Sequence, residues 1–294
     1  MMLAPLLLAL ALGQSADPYV RSRVTSGDPS TQCLYWTANR ISWQQSSVGN
    51  PQTTGDTEFT AVRNSFQSWQ DIFANCGNLD IVEGPVVDDR GVGYDQRGEN
   101  RNLVLFRTRR CTDVVPSGAA CKDDDSCANE FDCWDHGDGT IGITLTTYDE
   151  RSGIIYDSDI ELNAAAFTFT TANGGTCGPI STGNCVSTDV QNTVTHEVGH
   201  FIGLDHTNAT GSTMNPRAPP GELSKRTIDS GSASFVCAAY PEGRASQSCL
   251  HPAADEALGE KGLKCAASGA GLWLPALGAW MLLGVRRRRG GVRG

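Results

Sequence analysis

HEVGHFIGLDH, residues 196–206, holds three of the chain's five histidines and one glutamate within eleven positions. On a helix, positions i and i+4 share a face. His196 and His200 therefore aim both imidazoles at one point, and Glu197 sits beside that face and leans over the same point. Gly203 accepts the left-handed conformation that ends helices. The chain then swings round and returns His206 as a third ligand. Three neutral nitrogens with an open fourth position are the donor set of a catalytic zinc rather than a closed structural one. Zinc held this way brings the pKa of a water to about 7, and Glu197 is placed to take the proton and deliver it to a leaving amine.

The flanks support this reading. Thr188-Asp-Val-Gln191 has the form of a capping box that opens the histidine helix. Gly211-Ser-Thr-Met214-Asn-Pro216 follows eight residues past His206 and offers a methionine as an apolar floor under the ligands. Further upstream, Phe59, Val62, Phe66, Trp69, Ile72 and Phe73 recur at three- and four-residue steps, the stripe of an amphipathic helix. Residues 33–44, 78–82, 102–106, 140–148 and 154–163 read as strands, the last two joined by a turn at Ser152-Gly153. Asp17 to Thr31 reads as a polar extended segment. Cys111 to Cys133, with four cysteines and the acidic run Asp123 to Asp125, reads as a disulfide-tied excursion.

With these residues in place, the chain resembles the metzincins, and within them the matrixin-like peptidases. The similarity covers most of residues 33–241. It implies an α/β (α+β) metzincin fold: a twisted, mostly parallel five-stranded sheet with three helices and a small C-terminal subdomain, the upper part running to about 203 and the lower from about 204 to 250. It further implies a zinc cleft between the two parts, with Met214 and a last helix near 227–240 in the lower one. The edge strand around Ile141 to Thr147 would pair with an extended peptide substrate, and the segment Arg217 to Leu223 would wall the specificity pocket. Asn215-Pro216 follows the turn methionine where astacin-like and serralysin-like enzymes place a tyrosine, which favours the matrixin side. His136-Gly-Asp138 is similar to the loop that supplies ligands to a second, structural zinc in vertebrate matrixins, but the strands 140–148 and 154–163 lack the histidines that would complete it. Calcium is a further candidate cation for the acidic loops.

Composition sets the compartment. All 33 acidic residues lie within 17–264, with 18 of the 23 basic ones. Such an acidic body argues against nucleic-acid binding. Eleven cysteines point to an oxidising compartment. Ten precede the linker, which predicts five disulfides; proximity suggests Cys177–Cys185 and Cys237–Cys249, and Cys33 reads as half of another. Residues 1–16 have the apolar run and small residues of a signal peptide. The peptidase-like body is 17–250, and residues 251–264 form a polar linker. In 265–294, Cys265 precedes 20 uncharged positions (266–285), long enough to cross a bilayer, and then Arg286 to Arg289. This tail resembles the short sorting tail of myxobacterial surface proteins. The resemblance implies membrane attachment, recognition by a sorting protease and an anchoring role for Cys265.

The leading expectation is an exported, surface-anchored zinc endopeptidase acting on protein or peptide substrates as a monomer. Two alternatives are a zinc hydrolase of cell-wall peptide cross-links and a non-catalytic surface adhesin on a peptidase scaffold. Retention of Glu197 speaks against the adhesin.

Overall fold

The computed structural model describes residues 19–179 and 183–250. The signal segment, the linker and the tail with Cys265 lie outside the described residues. Among those described, no helix is long and apolar enough to cross a membrane.

In chain order the strands and helices are Val20–Arg21 (β1), Arg40–Gln45 (β2), Thr57–Cys76 (α1), Asp80–Glu83 (β3), Asn102–Arg107 (β4), Cys111–Val114 (α2), Cys127–Phe131 (α3), Gly142–Tyr148 (β5), Ile155–Asn163 (β6), Phe169–Thr170 (β7), Thr188–Asp189 (β8), Val190–Phe201 (α4), Leu204–Asp205 (β9) and Ser230–Ala239 (α5). The main sheet has five strands in the order β3-β2-β4-β6-β5. All its pairs are parallel except β5 with β6, so β5 is an antiparallel edge strand. This mixed, mostly parallel architecture agrees with the metzincin arrangement.

The apolar stripe of α1 buries Val62, Phe66, Trp69 and Phe73. Phe66 stacks on Trp43 of β2 and meets Phe201 of α4 edge-on. The indole N–H of Trp69 donates to the Thr195 carbonyl at 2.9 Å. Side chains alternate along a strand, and β6 uses both faces. Ile160 and Leu162 enter the core shared with α1 and α4. Asp157, Asp159 and Glu161 turn to the other face, which Val92 covers together with Leu103 and Leu105 of β4.

Three expectations need correction. Of residues 33–44, only those from Arg40 join the sheet as β2. Tyr35 makes an isolated bridge to Ile154, and Trp36 is buried against Phe201, where its indole N–H donates to the Phe201 carbonyl at 2.8 Å. The helix cap is Asp189, not Thr188: its carboxylate accepts from the Asn192 N–H at 2.7 Å, whereas Thr188 is drawn into a parallel pair with Phe169. Lastly, Cys237 and Cys249 do not pair with each other. Helix α5 packs against α1, which brings Cys237 to Cys76, and the segment after it returns Cys249 to Cys33.

The other bridges are Cys111–Cys133, Cys121–Cys127 and Cys177–Cys185, so all ten described cysteines are paired and the proximity reading of Cys177–Cys185 holds. The two long-range bridges close loops of 216 and 161 residues. Loop-closure entropy makes each worth on the order of 5 kcal/mol.

Candidate active site

The site is built on α4. Val194, Val198 and Phe201 turn into the core and hold the helix down, which leaves His196, Glu197 and His200 to face a cleft. Gly203 has φ 100°, and a Cβ there would lie 2.4 Å from the Leu34 carbonyl oxygen. Only glycine satisfies both conditions. The chain then forms β9, which pairs antiparallel with β1 at Val20–Asp205 and Arg21–Leu204. Ser22 adds a backbone bond to the Gly203 carbonyl (2.9 Å) and a hydroxyl bond to the Leu204 carbonyl (2.8 Å). The polar N-terminal stretch thus clamps the loop that carries His206.

The ring nitrogens are oriented from behind. Nδ1 of His196 donates to the Thr213 carbonyl at 2.7 Å, and Nδ1 of His200 donates to the Leu204 carbonyl at 2.8 Å. Each Nε2 is therefore left as a lone pair. Nε2 of His206 lies 3.1 Å from both. Burial, then the charge of His200, holds His196 well below its ordinary pKa. Burial and His206 bring His200 down to about 4. His206 is lowered as well, by burial first and to a smaller degree by Lys225. All three shifts favour the neutral ring, the state in which imidazole binds metal. Lone pairs this close repel unless a cation lies among them, so the donor set fits a metal ion. Among the described residues this triad is the one group of three His, Cys, Asp or Glu side chains gathered tightly enough to hold one.

Glu197 is 5% exposed, and burial pushes its carboxyl up to about 7 against the opposing effect of a hydrogen bond from Thr144. The Thr144 hydroxyl, on the edge strand, lies 2.8 Å from Glu197 Oε2 and 3.0 Å from the Glu197 carbonyl. Met214 is buried beneath α4, in contact with Gly199: a Cβ on that glycine would sit 2.2 Å from the Met214 sulfur. The same turn carries the Thr213 carbonyl that orients His196. Asp229 fixes the turn: Oδ2 accepts from the Thr213 N–H (2.8 Å) and the Ser232 hydroxyl (2.6 Å), and Oδ1 caps α5. The carbonyls that end α4 are met by Trp36 at Phe201 and by the Tyr240 hydroxyl at Ile202 (2.7 Å).

The cleft has a volume of about 610 Å³. Gly142, Thr144, Thr146 and Tyr148 of β5 form one wall; Asn215, Pro216, Ala218 and Lys225 line it as well. The expected wall segment, Arg217 to Leu223, thus contributes Ala218, with its neighbours Pro216 and Lys225 beside it. Ser22, Arg23 and Ser26 reach the cleft too, and the Tyr148 hydroxyl bonds the Val24 carbonyl at 3.1 Å.

The structure gathers His196, Glu197, His200 and His206 at one point, and it puts Gly203 and Met214 behind them. His136 is elsewhere, with Nε2 3.2 Å from a carboxylate oxygen of Glu161. Three supporting residues escaped the sequence reading: Thr144, Gly199 and Asp229. Gly199 left a signal, since a glycine inside a capped helix costs stability unless something needs its space. Thr144 left none, because strands commonly carry threonine.

Residues 128–231 match the Peptidase_M10 (matrixin) family model. No curated protein matches the chain. The family match implies a zinc-dependent endopeptidase, and the histidine triad supports a matrixin-like site.

Proposed function

We propose that the chain is an exported, surface-anchored endopeptidase in which His196, His200 and His206 hold one zinc ion and Glu197 is the general base. The observation that carries this reading is the convergence of three unprotonated Nε2 atoms beside a buried glutamate whose pKa lies near 7. When bound, zinc would act as a Lewis acid and make hydroxide available at neutral pH.

The protein's own residues supply the rest. Glu197 takes a proton from the attacking water and returns it to the leaving amine, and a pKa near the working pH suits both transfers. Thr144 holds Oε2, which fixes the carboxylate over the histidines. Met214 and the Thr213 carbonyl set the floor and the tilt of His196. An extended peptide adds to the free edge of β5 by β-augmentation, so backbone hydrogen bonds bind it and the cleft reads its side chains.

Residues 17–250 would form the peptidase domain, with the upper part ending near Gly203. Export is supported by the five disulfides, and the sequence of the tail assigns anchoring to Cys265, the apolar run 266–285 and Arg286 to Arg289. The test is casein hydrolysis by the zinc-loaded full chain beside Glu197→Ala, with cells carrying Cys265→Ser fractionated in parallel. Glu197→Ala should lose ~10²- to 10⁴-fold in rate, and Cys265→Ser should leave the surface fraction with hydrolysis intact. Undiminished turnover by Glu197→Ala would reject the mechanism; unchanged fractionation of Cys265→Ser would reject the anchor.

A further inference from the structure

Lys225 is 3% exposed, yet it lines the cleft beside the histidines. A lysine buried this far needs partners. Its ammonium donates to the Arg217 carbonyl at 2.6 Å and to Glu222 Oε2 at 2.8 Å. An ammonium has three donors, so one remains. Its backbone N–H is held by Asn192 Oδ1 at 2.8 Å, which fixes the residue against α4 one turn before His196. The Asn192 amide nitrogen has no hydrogen-bond partner within the described residues, and Asn192 also lines the cleft. Thr193 lines it too, its hydroxyl hydrogen spent on the Asp189 carbonyl at 2.9 Å. Of the cleft-lining residues that follow His206, the apolar ones are Pro216 and Ala218.

The recess lies towards the start of α4, whereas the N-terminal segment that also lines the cleft packs at the helix's other end. It is one end of the same cleft, next to the reacting centre. Charge agrees with its polarity. In a chain of net charge −10, the cleft lining holds two cations, Arg23 and Lys225, while its carboxylates are Glu197, committed to the chemistry, and Asp205, which accepts from the His206 N–H at 2.7 Å.

We infer that this recess selects a substrate side chain ending in a hydrogen-bond acceptor oxygen, of the glutamate or glutamine type, at a position flanking the scissile bond, with Lys225 and Asn192 as its donors. A branched aliphatic side chain would fill the same space but leave both donors unpaired, and an unmet buried donor is the larger penalty. Glu222 orients the ammonium through its 2.8 Å contact, so little reorganisation is needed when the acceptor arrives.

The inference rests on the peptidase reading for its substrate, but ligand binding can test it without turnover. The probes are three hydroxamates of one length, whose side chains end in a carboxylate, a carboxamide or a methyl group. Their affinities for the zinc-loaded full chain are measured by calorimetry, for wild type, Lys225→Met and the double variant Lys225→Met/Glu222→Gln. The double variant leaves no orphaned carboxylate and guards against misfolding. Wild type should bind the carboxylate and carboxamide probes ~10- to 100-fold tighter than the methyl probe. The order of the first two tells whether charge or hydrogen bonding dominates. Both variants should lose that preference. Tightest binding of the methyl probe by wild type, or an acceptor preference that survives in both variants, would overturn the inference. Cleavage-site mapping on a mixed peptide library is the separate arm. Correct hydroxamate ranking without cleavage of any peptide would sink the peptidase reading and leave the subsite standing.

Discussion

The molecule buries two clusters of ionisable side chains on either side of β6, and they have opposite fates. On the cleft side, His196, His200 and Glu197 are desolvated, and their free atoms converge on a shared space. On the other face, Asp157, Asp159 and Glu161 are each 1% exposed, and all four oxygens of Asp159 and Glu161 are spoken for, while Asp157 Oδ2 is buried without a partner among the described residues. Glu161 is held below its ordinary pKa despite burial, by His136 and by Arg107, whose Nε lies 2.6 Å away. Arg107 is 0% exposed and also bonds Asp132 at 2.9 Å. Asp159 accepts from the Gly93 N–H (2.6 Å) and the Leu103 N–H (2.8 Å). Burial and the adjacent Asp157 push it well above the carboxylate range, and burial takes Asp157 up to about 6. Perturbed ionisation therefore does not by itself mark the site. The mark is a set of unspent atoms aimed at a space that a substrate can reach.

This contrast can be broken from the closed side first. Removing Arg107 leaves the buried Glu161 without its ion-pair partner at 2.6 Å. Arg107→Ala should cost ~3–5 kcal/mol, read by denaturant unfolding. A loss under 1 kcal/mol would mean that the outer cluster is not held by its ion pair.

The acid pair sharpens the contrast with a pH signature. Asp157 has a raised folded pKa, so between about 4 and 6 the unfolded chain releases a proton that the native protein keeps, and stability falls as pH rises through that window. Asp157→Asn removes the penalty and can still donate to Asp159. It should be more stable than wild type by ~1–3 kcal/mol at pH 7.5 and equal to it near pH 3.5. Thermal melts at the two values decide; a variant less stable at pH 7.5 would contradict the sign.

The open side answers to a smaller change. Thr144→Val keeps the shape and removes the hydroxyl on Glu197 Oε2. Peptidase kcat should fall about 10-fold with zinc content unchanged, whereas Thr144→Ser should restore most of the rate. Equal rates for Val and wild type would leave Thr144 as strand filling.

How far the sequence foretold this depends on the range of the interactions. The histidine helix, its stop at Gly203 and the methionine turn were legible because they are spaced by local geometry. The same holds for α1 and for the hydrophobic strands. What escaped depends on distant partners. The clamp of β1 on β9 joins residues some 180 positions apart, and nothing in the polar stretch near Val20 announces it. Cys237 and Cys249 are near in sequence, but the packing of α5 on α1 sends them to different partners. Arg107 closes an apolar strand, NLVLFR, and reads as a surface end until Glu161 is brought opposite it. Asp229 looks like an ordinary helix cap, and it is one, but its second oxygen also holds the methionine turn.

The central claim is that three histidines hold the metal while Glu197 handles protons without ligating it. The direct measurement is zinc content per chain after dialysis against a weak chelator, for the full-length wild type, Glu197→Ala and His206→Ala. About one zinc should remain on wild type and on Glu197→Ala, and His206→Ala should retain far less, because two nitrogens hold the ion poorly. Equal zinc in all three proteins, or loss of zinc from Glu197→Ala alone, would contradict the account.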